Sequence, residues 1–312
     1  MARDPHVSIS LSAYNEGPFV IRTVNAILKG TEYPSFDIVI HDDGSKDASC
    51  ENLPNDSRVT LVRSGSRHGV SGGKKIAIEA CSGPLLLNMD CHIAPAEPGW
   101  LQRLVEVMQE LDCNAILSPV TIPLDPVKWK LRFAKPRVLT QLRKTFQVSW
   151  WRILDKSKRS IEVSALRGIA KLMSRETYDA IGGFDEALGY GGEEADVSMR
   201  AWMAGFVCAY VPSSLIGHVF KSQSQFPRSY TEEATNRLRV AYKCLSEDSY
   251  TRVLNNNREF LKNSGAWGAG VFENSIAAVK TRLEEFNSAR EQVKRRSVHS
   301  GEWVLERFQI KI

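Results

Sequence analysis

Asp90 and His92 stand two residues apart at the end of an apolar run, Pro84-Leu85-Leu86-Leu87-Asn88-Met89-Asp90-Cys91-His92. On an extended chain, alternate side chains project to the same side, so one cation could be held by both. A carboxylate beside an imidazole suits a divalent ion of intermediate softness. The run itself, bounded by Gly83-Pro84, predicts a buried strand. In open α/β sheets the ligand crevice lies just beyond the carboxyl ends of such strands. Read in isolation, the same residues also fit a loop-capping aspartate and a surface histidine. Only the rest of the chain separates the two readings.

Other chemistry-bearing groups recur at comparable places. Val7-Ser8-Ile9-Ser10-Leu11-Ser12 reads as a strand and is followed by Tyr14, Asn15 and Glu16. Residues 36–40 read as a second strand, ending at His41-Asp42-Asp43-Gly44-Ser45. Residues 59–63 form a third, followed by the glycine-rich Gly69-Val70-Ser71-Gly72-Gly73-Lys74-Lys75, which is expected to lead into a helix from Ile76 and to lie either near phosphates or in a plain turn. A helix near 99–111 and a strand at 115–118 complete the first half. Strands alternating with helices at this spacing predict a parallel, doubly wound sheet. Polar clusters at three strand ends are what a nucleotide crevice needs. No GxGxxG follows the first strand, so a dinucleotide fingerprint is absent.

Composition narrows the class. The chain has 312 residues, 43% of them hydrophobic and 25% charged, which is ordinary for a globular protein with one domain plus an extension, or two domains. A net charge of +5 is too mild for a nucleic-acid binder but suits an anionic small substrate. No apolar run reaches the roughly 18 residues of a transmembrane helix, and the first residues lack a signal-peptide core, so a cytoplasmic protein is expected. The six cysteines (50, 81, 91, 113, 208, 244) show no CxxC spacing and are expected to be small buried hydrophobes.

Residues 128–159 carry eleven basic residues against one acid, with five Trp and Phe interleaved. Three readings remain open for them: a solvated excursion, an acceptor-binding lid, or a peripheral membrane-surface patch. Residues 163–173 read as a strand whose Gly168 lets a ligand approach the backbone. Gly191-Gly192-Glu193-Glu194-Ala195-Asp196 opens a helix; acids there also suit the helix dipole. Strands are expected at 206–211 and again at 215–220. From Tyr230 the pattern is helical, with a long charged helix near 271–296 and breaks at Asn255-Asn256-Asn257 and 264–270.

Taken together, Ser12-Ala13-Tyr14-Asn15-Glu16, Asp42-Asp43-Gly44-Ser45, Asp90-Cys91-His92, Gly182-Gly183-Phe184-Asp185-Glu186, Gly191-Gly192-Glu193-Glu194 and Gly217-His218-Val219-Phe220 resemble a family-2-type GT-A glycosyltransferase over residues 7 to 227. The DxH form and the later GHVF are similar to those of the polypeptide N-acetylgalactosaminyltransferases. The resemblance implies a GT-A fold, α/β with a mostly parallel central sheet, in a catalytic domain over 1–230 followed by a helical extension over 231–312. It implies a UDP-sugar donor (UDP-GlcNAc, UDP-GalNAc or UDP-Glc), a peptide, glycan or small-molecule acceptor, and a manganese ion on Asp90, His92 and His218, with magnesium as the alternative. The matching donor site comprises Tyr14, Glu16, Asp42, Asp43, Gly73, Lys74, Asp90, Arg167, Gly168 and Lys221, with Tyr14 and Asp43 at the nucleobase. Residues 221–227 are expected to act as a lid. Glu193 falls at the sugar and Glu194 at the acceptor. Glu194 stands where the polypeptide transferases, which retain configuration, have Asn; a carboxylate there matches the Glu-Asp motif of inverting enzymes. Glu194 is therefore the expected general base, with retention as the alternative outcome. A nucleotidylyltransferase lacks support, since no Gly- and Lys/Arg-rich triphosphate loop follows the first strand. A non-catalytic nucleotide-sugar binder would dispense with these carboxylates and histidines.

Overall fold

The computed structural model describes residues 4–132, 137–153, 155–221, 227–268 and 270–312. The strands are β1 Val7–Ala13, β2 Phe36–Asp42, β3 Val59–Arg63, β4 Leu85–Met89, β5 Ile93–Pro95, β6 Ala115–Pro123, β7 Arg137–Leu142, β8 Val148–Ile153, β9 Ile161–Glu162, β10 Ala170–Ser174 and β11 Val207–His218. The helices are α1 Phe19–Gly30, α2 Gly69–Glu79, α3 Trp100–Glu110, α4 Arg175–Ile181, α5 Glu193–Met203, α6 Tyr230–Cys244, α7 Glu247–Lys262, α8 Val271–Thr281, α9 Leu283–Arg296 and α10 Gly301–Arg307. One sheet runs β3-β2-β1-β4-β10-β6-β11-β5, with β9 on β11; β7 and β8 form a separate hairpin.

Strands β3, β2, β1 and β4 are mutually parallel, and β10 enters antiparallel between β4 and β6. Successive side chains of a strand face opposite sides, so a sheet covered on both faces needs apolar residues at every position. In β4, Leu85 and Leu87 join the core under α1 and α3, while Leu86 joins the core under α2, α5 and α6. That second core also takes Val240 and Ala241 of α6, Val293 of α9 and Val304 of α10, so the C-terminal helices bury apolar surface against the sheet side of the molecule.

Several local expectations are corrected. The glycine-rich stretch is the first two turns of α2 rather than a loop, because a Cβ at Gly73 would overlap Ser12 Oγ and the helix could not otherwise lie against the ends of β1 and β2. Only Ala170–Ser174 of the 163–173 stretch is a strand; Leu166 N–H is taken by Ser198 Oγ at 3.0 Å and Gly168 N–H by Glu194 at 2.9 Å, which draws that backbone off the ladder. The two strands expected at 206–220 are one, β11, with a register break between Val211 and Leu215, where Ser214 Oγ donates to Trp100 O. Asn255-Asn256-Asn257 lie inside α7, where Asn257 is buried and hydrogen-bonded to Val253 O and Thr145 O. The long helix at 271–296 divides at Arg282 into α8 and α9. All six cysteines are free and buried.

Candidate active site

The strand ends bring the sequence-distant ligands together. β11 pairs with β5 at His218 and Ile93, and Val219 N–H donates to His92 O at 3.0 Å. Asp90 N–H donates to Ile169 O at 2.9 Å, holding the end of β4 against the start of β10. The result is that one ligand atom from each of Asp90, His92 and His218 lies within 4.8 Å of the others. His218 Nε2 is 3.3 Å and His92 Nε2 3.9 Å from Asp90 Oδ2.

These side chains fit a divalent ion. Both ring nitrogens of buried His218 lack a hydrogen-bond partner, a costly state unless something else occupies them. His92 Nδ1 faces Glu16 Oε2 at 3.1 Å, which fixes the tautomer with the proton on Nδ1 and leaves the lone pair of Nε2 free to ligate a cation. Glu16 also pairs with Lys221 Nζ at 2.6 Å. Burial by itself would raise the Asp90 carboxyl; the His218 imidazole beside it and the charges of Lys74 and His92 overcome it and hold that group well below the carboxylate range. Burial lowers the His218 imidazole, favouring the neutral, ligating form.

Around the triad lies a cavity of about 320 Å³, lined among others by Tyr14, Glu16, Asp43, Lys74, Asp90, His92, Gly168, Glu193, Glu194 and Lys221. Asp43 accepts from His68 N–H at 2.7 Å and Gly69 N–H at 3.0 Å, so it also caps α2. The guanidinium of Arg67 lies 4.4 Å from the centre of the Tyr14 ring. Buried Lys74 donates to Gly168 O at 3.1 Å and sits 4.0 Å from Asp90 and 3.8 Å from Glu193. Burial opposes its charge, but Asp90, Glu193 and Glu194 more than compensate and raise its pKa.

Two expected donor residues are placed elsewhere, and Arg167, expected at the diphosphate or the acceptor, is on the wall of a second cavity. Asp42 does not line the cavity; its carboxylate accepts from Ser45 N–H and Arg63 and holds the turn after β2. Gly73 packs beneath the cavity rather than into it. Arg167 lines a neighbouring cavity of about 360 Å³, and stacks its guanidinium 5.2 Å from the centre of the Trp150 ring. Of the expected lid, residues 222–226 lie outside the described residues. Within 128–159, Phe146, Val148 and Ser149 of the β7-β8 hairpin border that second cavity.

Glu193 and Glu194 line both cavities. Gly192 (φ +92°) begins α5 in the left-handed region that glycine tolerates. Both carboxylates converge on Gly168: a Cβ there would lie 3.3 Å from an oxygen of each. Glu194 pairs with Arg167 at 3.0 Å and accepts from Gly168 N–H at 2.9 Å. Burial, with Glu194 adding to it and Lys74 opposing, raises the Glu193 carboxyl.

Sequence reasoning did not find the groups of α6 that hold this helix start. Asn236 Nδ2 donates to Leu188 O and, at 2.8 Å, to Tyr190 O, and Glu232 accepts from Tyr190 N–H at 3.2 Å. Their helical spacing, one turn apart, was the available signal, but nothing in sequence says which loop they face.

The family model "Glycosyl transferase family 2" matches residues 8–182. Mouse (Mus musculus) polypeptide N-acetylgalactosaminyltransferase 12 is 25% identical over 265 residues, covering 78% of this chain and 44% of the relative; the chain thus spans less than half of that protein's length. A crystal structure of GalNAc-T7 with UDP, GalNAc and Mn2+ superposes with a TM-score of 0.76 at 20% identity, over 98% of this chain and 57% of that one. A mannosyltransferase from Pyrobaculum calidifontis in complex with GDP-Man and Mn2+ gives 0.57 at 17% identity, over 90% and 76%. At these identities the two structures establish the shared fold.

Proposed function

The chain belongs to glycosyl transferase family 2, and from that premise we propose that it moves a sugar from a UDP-sugar to an acceptor hydroxyl. The convergence of Asp90, His92 and His218, the first two on the wall of the first cavity, carries this reading. Mn2+, present in both solved neighbours, is the ion proposed for these three side chains, with Mg2+ second because imidazole suits manganese better. When bound, it supplies Lewis-acid stabilisation of the departing diphosphate. Lys74 and Lys221 add fixed positive charge on the same cavity wall. Asp43 and Tyr14 are assigned to the nucleobase. UDP-GlcNAc, UDP-GalNAc and UDP-Glc are the donors to test first.

The second cavity shares Tyr190, Glu193, Glu194 and Arg228 with the first, so an acceptor placed there would meet the donor at the two glutamates. In direct displacement the acceptor oxygen bonds to the anomeric carbon as the bond to the diphosphate oxygen breaks, and the hydroxyl proton goes to Glu194. Gly168 N–H and Arg167 fix that carboxylate in place. Glu193, beside Lys74, is assigned to the sugar. This makes the reaction inverting. Retention, as a second reading, draws support from the similarity to polypeptide GalNAc-transferases and from the ion pair with Arg167 that already engages the Glu194 carboxylate. Six free buried cysteines accord with a reducing compartment, and we place the protein in the cytoplasm; no helix among the described residues is long and apolar enough to cross a membrane. The direct test is UDP release from a donor panel with Mn2+, followed by NMR of the product's anomeric configuration. No UDP release from any donor would overturn the proposal.

A further inference from the structure

The charged groups on the wall of the second cavity are equal in number but are not all paired with one another. Its lining includes three carboxylates, Glu193, Glu194 and Glu233, and three arginines, Arg167, Arg228 and Arg237. Glu194 is matched by Arg167 at 3.0 Å, Glu233 by Arg228 at 2.7 Å, and Glu193 by Lys74 at 3.8 Å. Arg237 is left over. It lies on α6, is only 7% exposed, and makes no ion pair among the described residues. Its Nε donates to Asn257 Oδ1 at 3.3 Å. Asn257 is itself oriented by donating to Val253 O and Thr145 O, so the Arg237 stem is held from behind. No acceptor among the described residues takes a hydrogen bond from its Nη groups.

A guanidinium in such a place is expensive unless an anion meets it. Burial lowers its pKa to about 10, with Glu233 alone opposing, so it remains a cation at neutral pH. The planar fork offers two parallel N–H donors, the geometry that matches a carboxylate or phosphate. Neutral hydrogen-bonding groups, Gln147 and Ser149 among them, line the same cavity, and its carboxylates Glu194 and Glu233 are each within ion-pair distance of another arginine.

From the unmatched, buried Arg237 on the wall of the second cavity we infer that the acceptor carries an oxyanion, a carboxylate or a phosphate, which Arg237 anchors. The inference rests on the reading of the two adjoining cavities as donor and acceptor sites. It gives α6 a role in substrate selection: the same helix that clamps the Glu193–Glu194 loop through Asn236 presents the anchor one residue later. Arg237 touches substrate but not the reacting atoms.

The test uses the full chain preloaded with UDP and Mn2+, so that the first cavity is filled. Sodium sulfate and sodium acetate are titrated separately by calorimetry at constant ionic strength; the first reports a tetrahedral oxyanion and the second a planar carboxylate. Crystals of the same complex are soaked in selenate to locate the anion by its anomalous signal. Saturable binding of at least one anion, with selenate or a carboxylate beside the Arg237 Nη atoms, is expected. Arg237→Met should weaken that binding roughly thirtyfold or more, and Arg237→Lys should restore part of it. Absence of saturable binding by the wild type, an anion seated away from Arg237, or equal affinity in the Met variant would overturn the inference; should the Met variant not fold, the wild-type anion position and the Lys variant decide it. UDP release by the wild type in water, without acceptor, separates the two readings. Donor turnover with no anion at Arg237 sinks the anchor and spares the transferase, whereas an anion at Arg237 with no turnover of any donor does the reverse.

Discussion

Glu16→Gln isolates the role of a residue that touches the proposed metal site only through another side chain. Glu16 Oε2 faces His92 Nδ1 at 3.1 Å and Lys221 Nζ at 2.6 Å, and its side chain is 10% exposed. Burial would raise its carboxyl; the hydrogen bond and charge of His92, with Lys221, bring it below the usual value, so it is ionised throughout the neutral range. Glutamine keeps the shape and one oxygen acceptor but removes the charge that orients the His92 ring with its proton on Nδ1. Loss of such an outer partner weakens metal affinity about 10- to 100-fold, or roughly 1.4–2.7 kcal/mol. Lys221 simultaneously loses its counter-ion, which should lower Tm by a few degrees. The assay is a Mn2+ titration of UDP release, supported by electron paramagnetic resonance of free Mn2+. The apparent Mn2+ affinity should fall within that range while kcat at saturating metal stays within severalfold of wild type. Unchanged Mn2+ affinity, or a kcat that collapses even at saturating metal, would refute the positioning role.

Three further outcomes are expected. His218→Ala should abolish Mn2+-dependent turnover while leaving the circular dichroism spectrum intact; unchanged metal dependence would remove His218 from the ligand set. Glu194→Gln should lose transfer by about two to four orders of magnitude while still binding UDP and Mn2+, as read by calorimetry, and a product with the donor's own anomeric configuration would remove its role as base. Asp185, whose carboxyl is held below its ordinary value by Lys243 and Arg239 against the effect of burial, contributes stability that is present above about pH 4 and lost as pH falls through its folded value. Melting curves from pH 7 to pH 2 should therefore show the wild type losing Tm more steeply than Asp185→Asn below about pH 4, with the variant's Tm already lower at pH 7.

What was legible in the sequence follows from which forces are local. The strands β1, β2, β4 and β6 are short apolar runs with polar punctuation, and buried strands of such a sheet can hardly be written otherwise. The triad Asp90, His92 and His218 was legible through its motifs, and the structure gives the reason for the pairing across 126 positions: β5 and β11 are neighbours. Residues 163–169 were misread because their apolar pattern is strand-like, yet Ser198 and Glu194 on α5 capture their N–H groups. The α2 glycines were misread as a loop because glycine opposes helix locally, whereas here close packing against Ser12 requires it. In both cases a long-range contact overrides local preference, and single-chain patterning does not contain the contact.

The same logic explains why the groups on α6 escaped notice while those on β4 did not. A ligand at a strand end is marked by a change from apolar to polar residues. Arg237 and Asn236 sit in Asn236-Arg237-Leu238-Arg239, a helix whose polar residues look like an exposed face; yet all four are buried. The pattern fails because α6 is covered on more than one side. Leu238 packs against Val279 and Phe286, Val240 and Ala241 face the sheet-side core, and the polar groups fill what remains. Arg239 and Lys243 are consumed by Asp185 and Asp196, and Asn236 by backbone carbonyls, each a pairing that repays the cost of burial. Arg237 makes no ion pair among the described residues, and its Nε donates to Asn257. Its place on the wall of a cavity that adjoins the carboxylates of Glu193 and Glu194 is why we propose that it meets substrate rather than holds the fold.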